Sequence, residues 1–247
     1  MAPLRPVHYW SLVRSTRWRD WQAGFLRRYV LGRGHYPYLC QMKVGLRSVD
    51  VMTYCQEDLF TVNEVFALEC YGRLEGARTI VDLGANIGVA ASYFLAVAPH
   101  SAVYCVEPLE TNLQRLAVNT ASYGDRVKIF PCAAYSSDCE LEFGVESTGR
   151  YSGINCKSKR RVKVIARDIR TILREVLANS DRIDLLKIDI EGAEGAVVTS
   201  IPSEIFCRIG EIYIEGDAFE PEKIKAEGFL HRHSFTGVHR FWRESGK

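Results

Sequence analysis

The stretch Thr79-Ile80-Val81-Asp82-Leu83-Gly84-Ala85-Asn86-Ile87-Gly88 constrains this chain more than any other. A β-branched run ends in an acid, crosses a glycine-rich turn and opens into an alanine-rich apolar segment. That is the pattern of a strand, a tight loop and a helix N-terminus. Glycines at 84 and 88 let the backbone approach a ligand closely, and the helix start offers N–H groups, so such turns are where α/β sheets hold nucleotide-like ligands. The spacing Asp-x-Gly-x-Asn-x-Gly misses the GxGxxG fingerprint of dinucleotide folds. By itself it also fits an ordinary strand-to-helix turn.

From Ala77 onward strands and helices alternate with short connections. Strands are expected at Thr79–Leu83, Ala102–Val106, Val127–Pro131, Ile183–Ile188 and Ile209–Glu215. Helices are expected at Val89–Val97, Leu109–Ala121, Asp168–Leu177 (with Asp168 as N-cap), Ala193–Ser200 and Pro221–Ala226. Leu141–Val145 and Arg161–Ile165 read as an extra strand pair around a polar loop, Glu146–Lys159. Phe229–Phe235 and Val238–Arg243 read as an antiparallel pair turning at Thr236-Gly237. The alternation predicts an α/β fold with a mainly parallel central sheet, helices on both faces and an antiparallel C-terminal strand pair.

The start of the chain differs in character. Up to Arg33 seven arginines face one acid, Asp20, with Trp10, Trp18 and Trp21 interleaved. Trp18, Trp21, Phe25 and Tyr29 recur at helical spacing, which predicts a basic amphipathic helix. Its aromatic face either caps the core or meets an acidic partner, a phosphorylated substrate or, weakly, a membrane surface. Lys43 to Val51 suits strands and Asp58 to Tyr71 a further helix, and the boundary falls between Gly72 and Gly76. A net charge of +2 does not mark a nucleic-acid binder, and no apolar run is long enough for a membrane span. Met1 to Tyr9 lacks the apolar core of a secretion signal. Eight scattered cysteines without a CxxC pair read as reduced thiols, so a cytoplasmic protein without a zinc site is expected.

Val103-Tyr104-Cys105-Val106-Glu107-Pro108 is a second apolar strand ending in an acid, placed where a carboxylate can accept both hydroxyls of a ribose. Asn112, one turn into the next helix, faces the same edge. Pro131-Cys132-Ala133-Ala134 offers small residues on which an adenine ring can lie flat, though close packing explains them equally well. Asp184-Leu185-Leu186-Lys187-Ile188-Asp189-Ile190-Glu191-Gly192-Ala193-Glu194 sets Asp189, Glu191 and Glu194 at the carboxyl end of a central strand, the rim where open α/β sheets bind ligands. Glu194 also suits the positive end of a helix dipole.

In order and wording these three stretches resemble the FkbM family of S-adenosylmethionine (SAM)-dependent methyltransferases, most of which are O-methyltransferases. The resemblance spans Asp58 to Asp217. Methyltransferases of this kind generally carry glycine where this chain has Asn86, and asparagine is the usual FkbM variant. The resemblance implies a Rossmann-like class I methyltransferase fold, with a cap region at 1–75 and a SAM-binding domain at 76–247. It puts Asp82 at the methionine end of the cofactor, Gly84, Ala85, Asn86 and Gly88 in the loop beneath it, Glu107, Pro108 and Asn112 at the ribose, Cys132 and Ala133 at the adenine, and Asp189 at the rim. The implied acceptor is a hydroxyl of a sugar, a glycan or a small natural product.

Methyl transfer needs the acceptor oxygen aligned behind the sulfonium methyl, so positioning carries much of the catalysis. A nearby carboxylate can take the acceptor proton, and Glu191 and Asp189 are the candidates. His231, His233 and His239 rank below Glu191. Glu215 and Asp217 end the neighbouring strand, and with Asp189 and Glu191 they would suit Mg²⁺ or Ca²⁺ as a secondary expectation. No Asp/Asn-Pro-Pro-aromatic motif follows the fourth strand, and Pro131-Cys132 follows the third, which argues against base amino-group and cytosine C5 methylation. Two rivals stand beside the O-methyltransferase reading: a SAM-binding protein without turnover, and a nucleic-acid methyltransferase recruited through the basic arm.

Overall fold

A computed structural model describes residues 23–72, 74–146, 153–154, 156–234 and 237–244. The tryptophan- and arginine-rich arm up to Gln22 lies outside the described residues, as do Tyr151, Ser152 and Asn155 of the polar insert and the turn residue Thr236. Helix α1 (Ala23–Leu31) leads into an antiparallel hairpin of β1 (Tyr38–Val44) and β2 (Arg47–Thr53). The hairpin is longer at both ends than the strands expected from Lys43 to Val51. Its tip is Gly45-Leu46, where Gly45 adopts a φ of +59°. Helix α2 (Gln56–Val62) then continues into a π-helical turn, Asn63–Ala67, in place of one helix to Tyr71. Asp58 fixes its start, since the carboxylate accepts the Tyr54 and Cys55 N–H groups at 2.6 and 3.2 Å.

The strand–helix alternation then follows in the expected order: β3 (Thr79–Leu83), α3 (Val89–Val97), β4 (Ala102–Val106), α4 (Glu110–Thr120), a 3-10 turn at Ala121–Arg126 and β5 (Val127–Phe130). Next come β6 (Ala133–Tyr135), β7 (Cys139–Gly144), β8 (Arg161–Asp168), α5 (Ile169–Leu177), β9 (Ile183–Ile188), α6 (Glu194–Ser200) and α7 (Ser203–Phe206). The chain ends with β10 (Ile209–Glu215), α8 (Pro221–Ala226), β11 (Leu230–His233) and β12 (Val238–Trp242). The seven-stranded sheet has the order β11-β12-β10-β9-β3-β4-β5. Strands β5, β4, β3, β9 and β10 run parallel, and β12 is antiparallel to both β10 and β11. The expected extra pair is a separate three-stranded sheet, β6-β8-β7, because Ala133–Tyr135 adds a short parallel strand to β8. Asp168 caps α5 as expected, accepting the Arg170 N–H at 2.8 Å.

Side-chain alternation along the central strands divides the interior into two layers. Ile80, Val103, Cys105 and Leu185 face a core built with α3, the hairpin, α1 and α2. Val81, Leu83, Val106, Leu186 and Ile188 face a second core under α5, α6, α7 and α8. The N-terminal segment therefore shares one core with the sheet. Asn119, buried near the end of α4, pins it there: its amide exchanges hydrogen bonds with both backbone groups of Met52, at 2.7 and 3.1 Å, and donates to the Ile87 carbonyl at 2.8 Å. Among the described residues no helix is long and apolar enough to cross a membrane.

The strand order reverses between β3 and β9, and there the loops leaving the two strands touch. The Gly84 and Ala85 N–H groups donate to the Val106 carbonyl at 2.9 and 3.0 Å. Gly84 has a φ of +76°, and a Cβ there would collide with the Asp189 carbonyl oxygen. Only glycine permits both. Gly45 shares the left-handed backbone, but a Cβ added to it would meet nothing within 4 Å. Urea unfolding followed by tryptophan fluorescence is thus expected to show a loss of about 1 kcal/mol for Gly45→Ala, and clearly more than ~2 kcal/mol for Gly84→Ala. Equal losses would mean that the β3–β9 contact is not as close as described.

Candidate active site

Two contiguous cavities open at the carboxyl ends of β3, β4 and β9. The first, about 570 Å³ counting its open mouth, is lined by the loop residues Gly84 and Asn86, by Glu107, Pro108 and Asn112, by Cys132 and Ala133, and by Asp189 and Glu191. Phe143 of β7 and Ile154 of the insert close its apolar side. Glu107 is the polar centre of this space. Its carboxylate accepts the Asn86 N–H at 3.0 Å, the Leu109 N–H at 2.9 Å and the Asn112 amide at 3.2 Å. Burial pushes its pKa up to about 7, against the pull of those hydrogen bonds. Asn86 has a φ of +50°, a region that asparagine tolerates better than most residues. This turns its N–H onto Glu107 and explains an asparagine in a glycine-like position.

The second cavity, about 630 Å³, shares Gly84, Asn86, Asp189 and Glu191 with the first and runs back toward α2. Ala85 lines it, with Asp58, Glu64, Tyr71, Lys187 and Glu215. Lys187 organises this region. It is 3% exposed, and its ammonium lies 3.0 Å from Asp82 and 3.3 Å from Asp189 while donating to the Gly84 carbonyl at 3.2 Å. Burial pulls its pKa down, but the carboxylates of Asp82, Asp189 and Glu215 more than reverse this and hold it above the ordinary lysine range. Tyr71 donates to Glu215 at 2.5 Å. Burial raises the Glu215 carboxyl to about 7, with Asp189 adding to the shift and Lys187 and Tyr71 opposing it.

Of the residues expected at the cofactor, two stand outside both cavities. Asp82 is fully buried and turned onto Lys187, so its carboxylate reaches the cleft only through that ammonium. Burial pushes its pKa up and Lys187 pulls it down. Gly88, at a φ of +86°, starts α3 and packs on α4, where a Cβ would lie 2.7 Å from Leu116. The other expected residues, with both candidate bases, converge on the cleft. Glu191 also holds a left-handed φ, +49°, and Gly153 of the insert packs against it so closely that a Cβ there would lie 2.5 Å from the Glu191 carbonyl oxygen.

Sequence reasoning missed Lys187 as the hub. Its only signal was one basic residue between apolar neighbours, Leu186 and Ile188, near the end of a strand. The Tyr71–Glu215 contact, between residues far apart in the chain, left no local signal. The expected Mg²⁺ or Ca²⁺ site at Asp189, Glu191, Glu215 and Asp217 does not form among the described residues. Asp189 faces Lys187, Glu215 accepts the Tyr71 hydroxyl, and Asp217 turns away to His239. His231, His233 and His239 line neither cavity.

A parallel sheet reversing between β3 and β9, an antiparallel last strand beside β10, and a glycine loop facing an acid at the end of β4 define a Rossmann-like class I methyltransferase fold. Residues 82–245 match the Methyltransferase FkbM domain, and the chain belongs to that family. It is 27% identical over 207 residues to methyltransferase sdnD of Sordaria araneosa, covering 69% of this chain and 78% of that protein. It is 25% identical over 205 residues to AMB antimetabolite synthetase AmbE of Pseudomonas aeruginosa, covering 64% of this chain and only 9% of the synthetase. The crystal structure of methyltransferase FkbM from Methylobacillus flagellatus superposes with a TM-score of 0.47 at 18% identity, over 76% of this chain and 54% of that one.

Lys187 supplies the test of the site's electrostatics. Lys187→Met keeps most of the side-chain volume but leaves Asp82 buried without a counter-charge, which is expected to cost about 3–5 kcal/mol in denaturant unfolding. A loss below about 1 kcal/mol would show that Asp82 is already neutral in the folded protein.

Proposed function

We propose that this protein transfers the methyl group of SAM to a hydroxyl of a sugar, a glycan or a small natural product. The observation that carries the reading is Glu107: a buried carboxylate, held by the glycine loop and the start of α4, that faces a cleft lined by small and apolar residues. The residues fit SAM. Glu107, whose oxygens retain acceptor capacity, takes the ribose hydroxyls, and Asn112 orients it. Cys132, Ala133, Phe143 and Ile154 form a slot for the adenine. The acidic second cavity, with Asp58, Glu64, Asp189 and Glu215 around Lys187, suits the ammonium of the amino-acid tail. Asp82 acts through Lys187 and does not touch the cofactor.

Bound there, SAM supplies an electrophilic sulfonium methyl. The protein's own part is to align the acceptor oxygen, exclude water and take one proton. Glu191, which lines both cavities at the rim beneath Gly153 of the insert, is the preferred base. The insert residues Gly153 and Ile154 cover the rim above Glu191, and with the cap at 1–75 they select the acceptor for the domain at 76–247. The sugar, glycan or natural-product acceptor rests on the family alone. All eight cysteines are free thiols, which suits a reducing compartment such as the cytoplasm.

Calorimetric titration with SAM and with its demethylated product tests the cofactor. Both are expected to bind, Glu107→Ala at least about tenfold more weakly. Binding of neither ends the proposal. The free Glu107 carboxyl titrates near 7 and must be ionised to accept both hydroxyls. Affinity is therefore expected to be flat well above about pH 7 and to fall below it, while Glu107→Gln makes the slope shallower and leaves the part due to Glu215, whose carboxyl burial also raises to about 7. A wild-type affinity unchanged from about pH 8 to 6 would remove Glu107 from the site. Glu191→Gln is expected to keep SAM affinity and to slow methyl transfer about 100-fold or more, and undiminished transfer would exclude it as the base.

A further inference from the structure

Another group of ligating side chains lies on the edge hairpin of the sheet, outside both cavities. His233 and His239 face each other across the β11–β12 ladder, their rings 4.1 Å apart and inclined by 10°. His239 is buried, edge-on to Phe219 at 5.0 Å. Its Nε2 lies 3.1 Å from Oδ1 of Asp217, in the turn that leaves β10. One ligand atom from each of Asp217, His233 and His239 lies within 4.8 Å of the other two. Behind them Nδ1 of His239 is 2.9 Å from Nε2 of His231, whose ring stacks on Phe241 at 4.4 Å.

We propose that Asp217, His233 and His239 bind a divalent transition-metal ion of the zinc type, with water completing its coordination. Two imidazoles and one carboxylate form a donor set for zinc and its first-row neighbours, not for the hard cations that an all-oxygen group would take. Ligand atoms each about 2.0–2.2 Å from one ion lie a little over 3 Å apart. The Asp217–His239 pair already has that spacing. In the metal-free protein a proton must sit between His239 Nε2 and the Asp217 oxygen, since both are acceptors. A cation replaces it once Nδ1 of His239 carries the imidazole proton, and His231 is the acceptor in place to hold that tautomer.

The third ligand, His233, is exposed and closes the group by side-chain rotation from a cross-strand position. The ion would join the β10 turn to the terminal hairpin. Gly216 and Ala218, which flank Asp217, line a third, open cavity beside Glu191 and Glu215, so the metal would stiffen the outer wall of the proposed acceptor side. The site does not depend on the SAM assignment.

The eight free thiols are competing ligands, which makes Co²⁺ the informative probe. The full chain, reduced and stripped with a chelator, is titrated with Co²⁺ and read by absorption. One equivalent is expected to give visible d–d bands without the near-ultraviolet charge-transfer band of a cobalt thiolate, and Zn²⁺ is expected to displace it. Asp217→Asn and His233→Ala, both at exposed positions that leave the core intact, are expected to weaken binding about tenfold or more. No saturable binding, a thiolate band accounting for the bound ion, or affinity unchanged in both variants would each overturn the site.

Discussion

One buried ammonium holds the floor of the cleft together. Lys187 lies in the most central strand, β9, and its charge is answered from three adjacent strands: by Asp82 on β3, by Asp189 just past its own strand, and by Glu215 at the end of β10. Removing such groups from water costs several kcal/mol each, so the cluster adds little net stability compared with an apolar filling. What it contributes is position. The carboxyl ends of β3, β9 and β10 share one counter-charge, and the Gly84 carbonyl that Lys187 also grips belongs to the loop that lines both cavities.

The same contact sets the backbone conformations around it. Gly84 lies so close to the Asp189 carbonyl that the two loops act as one surface. On either side of that surface stand two non-glycine residues with left-handed backbones, Asn86 and Glu191. Such residues concentrate where function fixes the backbone. Here one aims an N–H at Glu107, and the other presents a carboxylate to the rim beneath the insert. The two cavities are therefore both set by one loop-to-loop contact.

Much of this was legible in the sequence because it is written locally. The short continuous apolar runs, the glycine loop, the acid ending β4 and the acids after β9 each occupy a few consecutive residues, and the fold brings Glu107, Asn112, Cys132, Ala133, Asp189 and Glu191 to one cleft. Nothing in the stretch around Asp82 reveals that it pairs with Lys187 on the neighbouring strand. The β6 strand escaped notice because three residues carry no periodicity, and the π-helical turn because a helix pattern does not show where its hydrogen bonding slips. Pairings such as Tyr71 with Glu215, or His233 with His239, depend on strand neighbours and register, which local pattern does not encode.

Asn119 gives the cap a different standing from that of an accessory. One amide satisfies β2 on one side and the Ile87 carbonyl of the glycine loop on the other. The stretch that matches the family begins at residue 82, within β3, while the hairpin that completes this bonding ends at Thr53. The inherited unit and the cooperative unit therefore have different borders. Grafting the family segment alone onto another protein would carry the loop without its brace, and any chimera built on this chain needs its seam upstream of the hairpin.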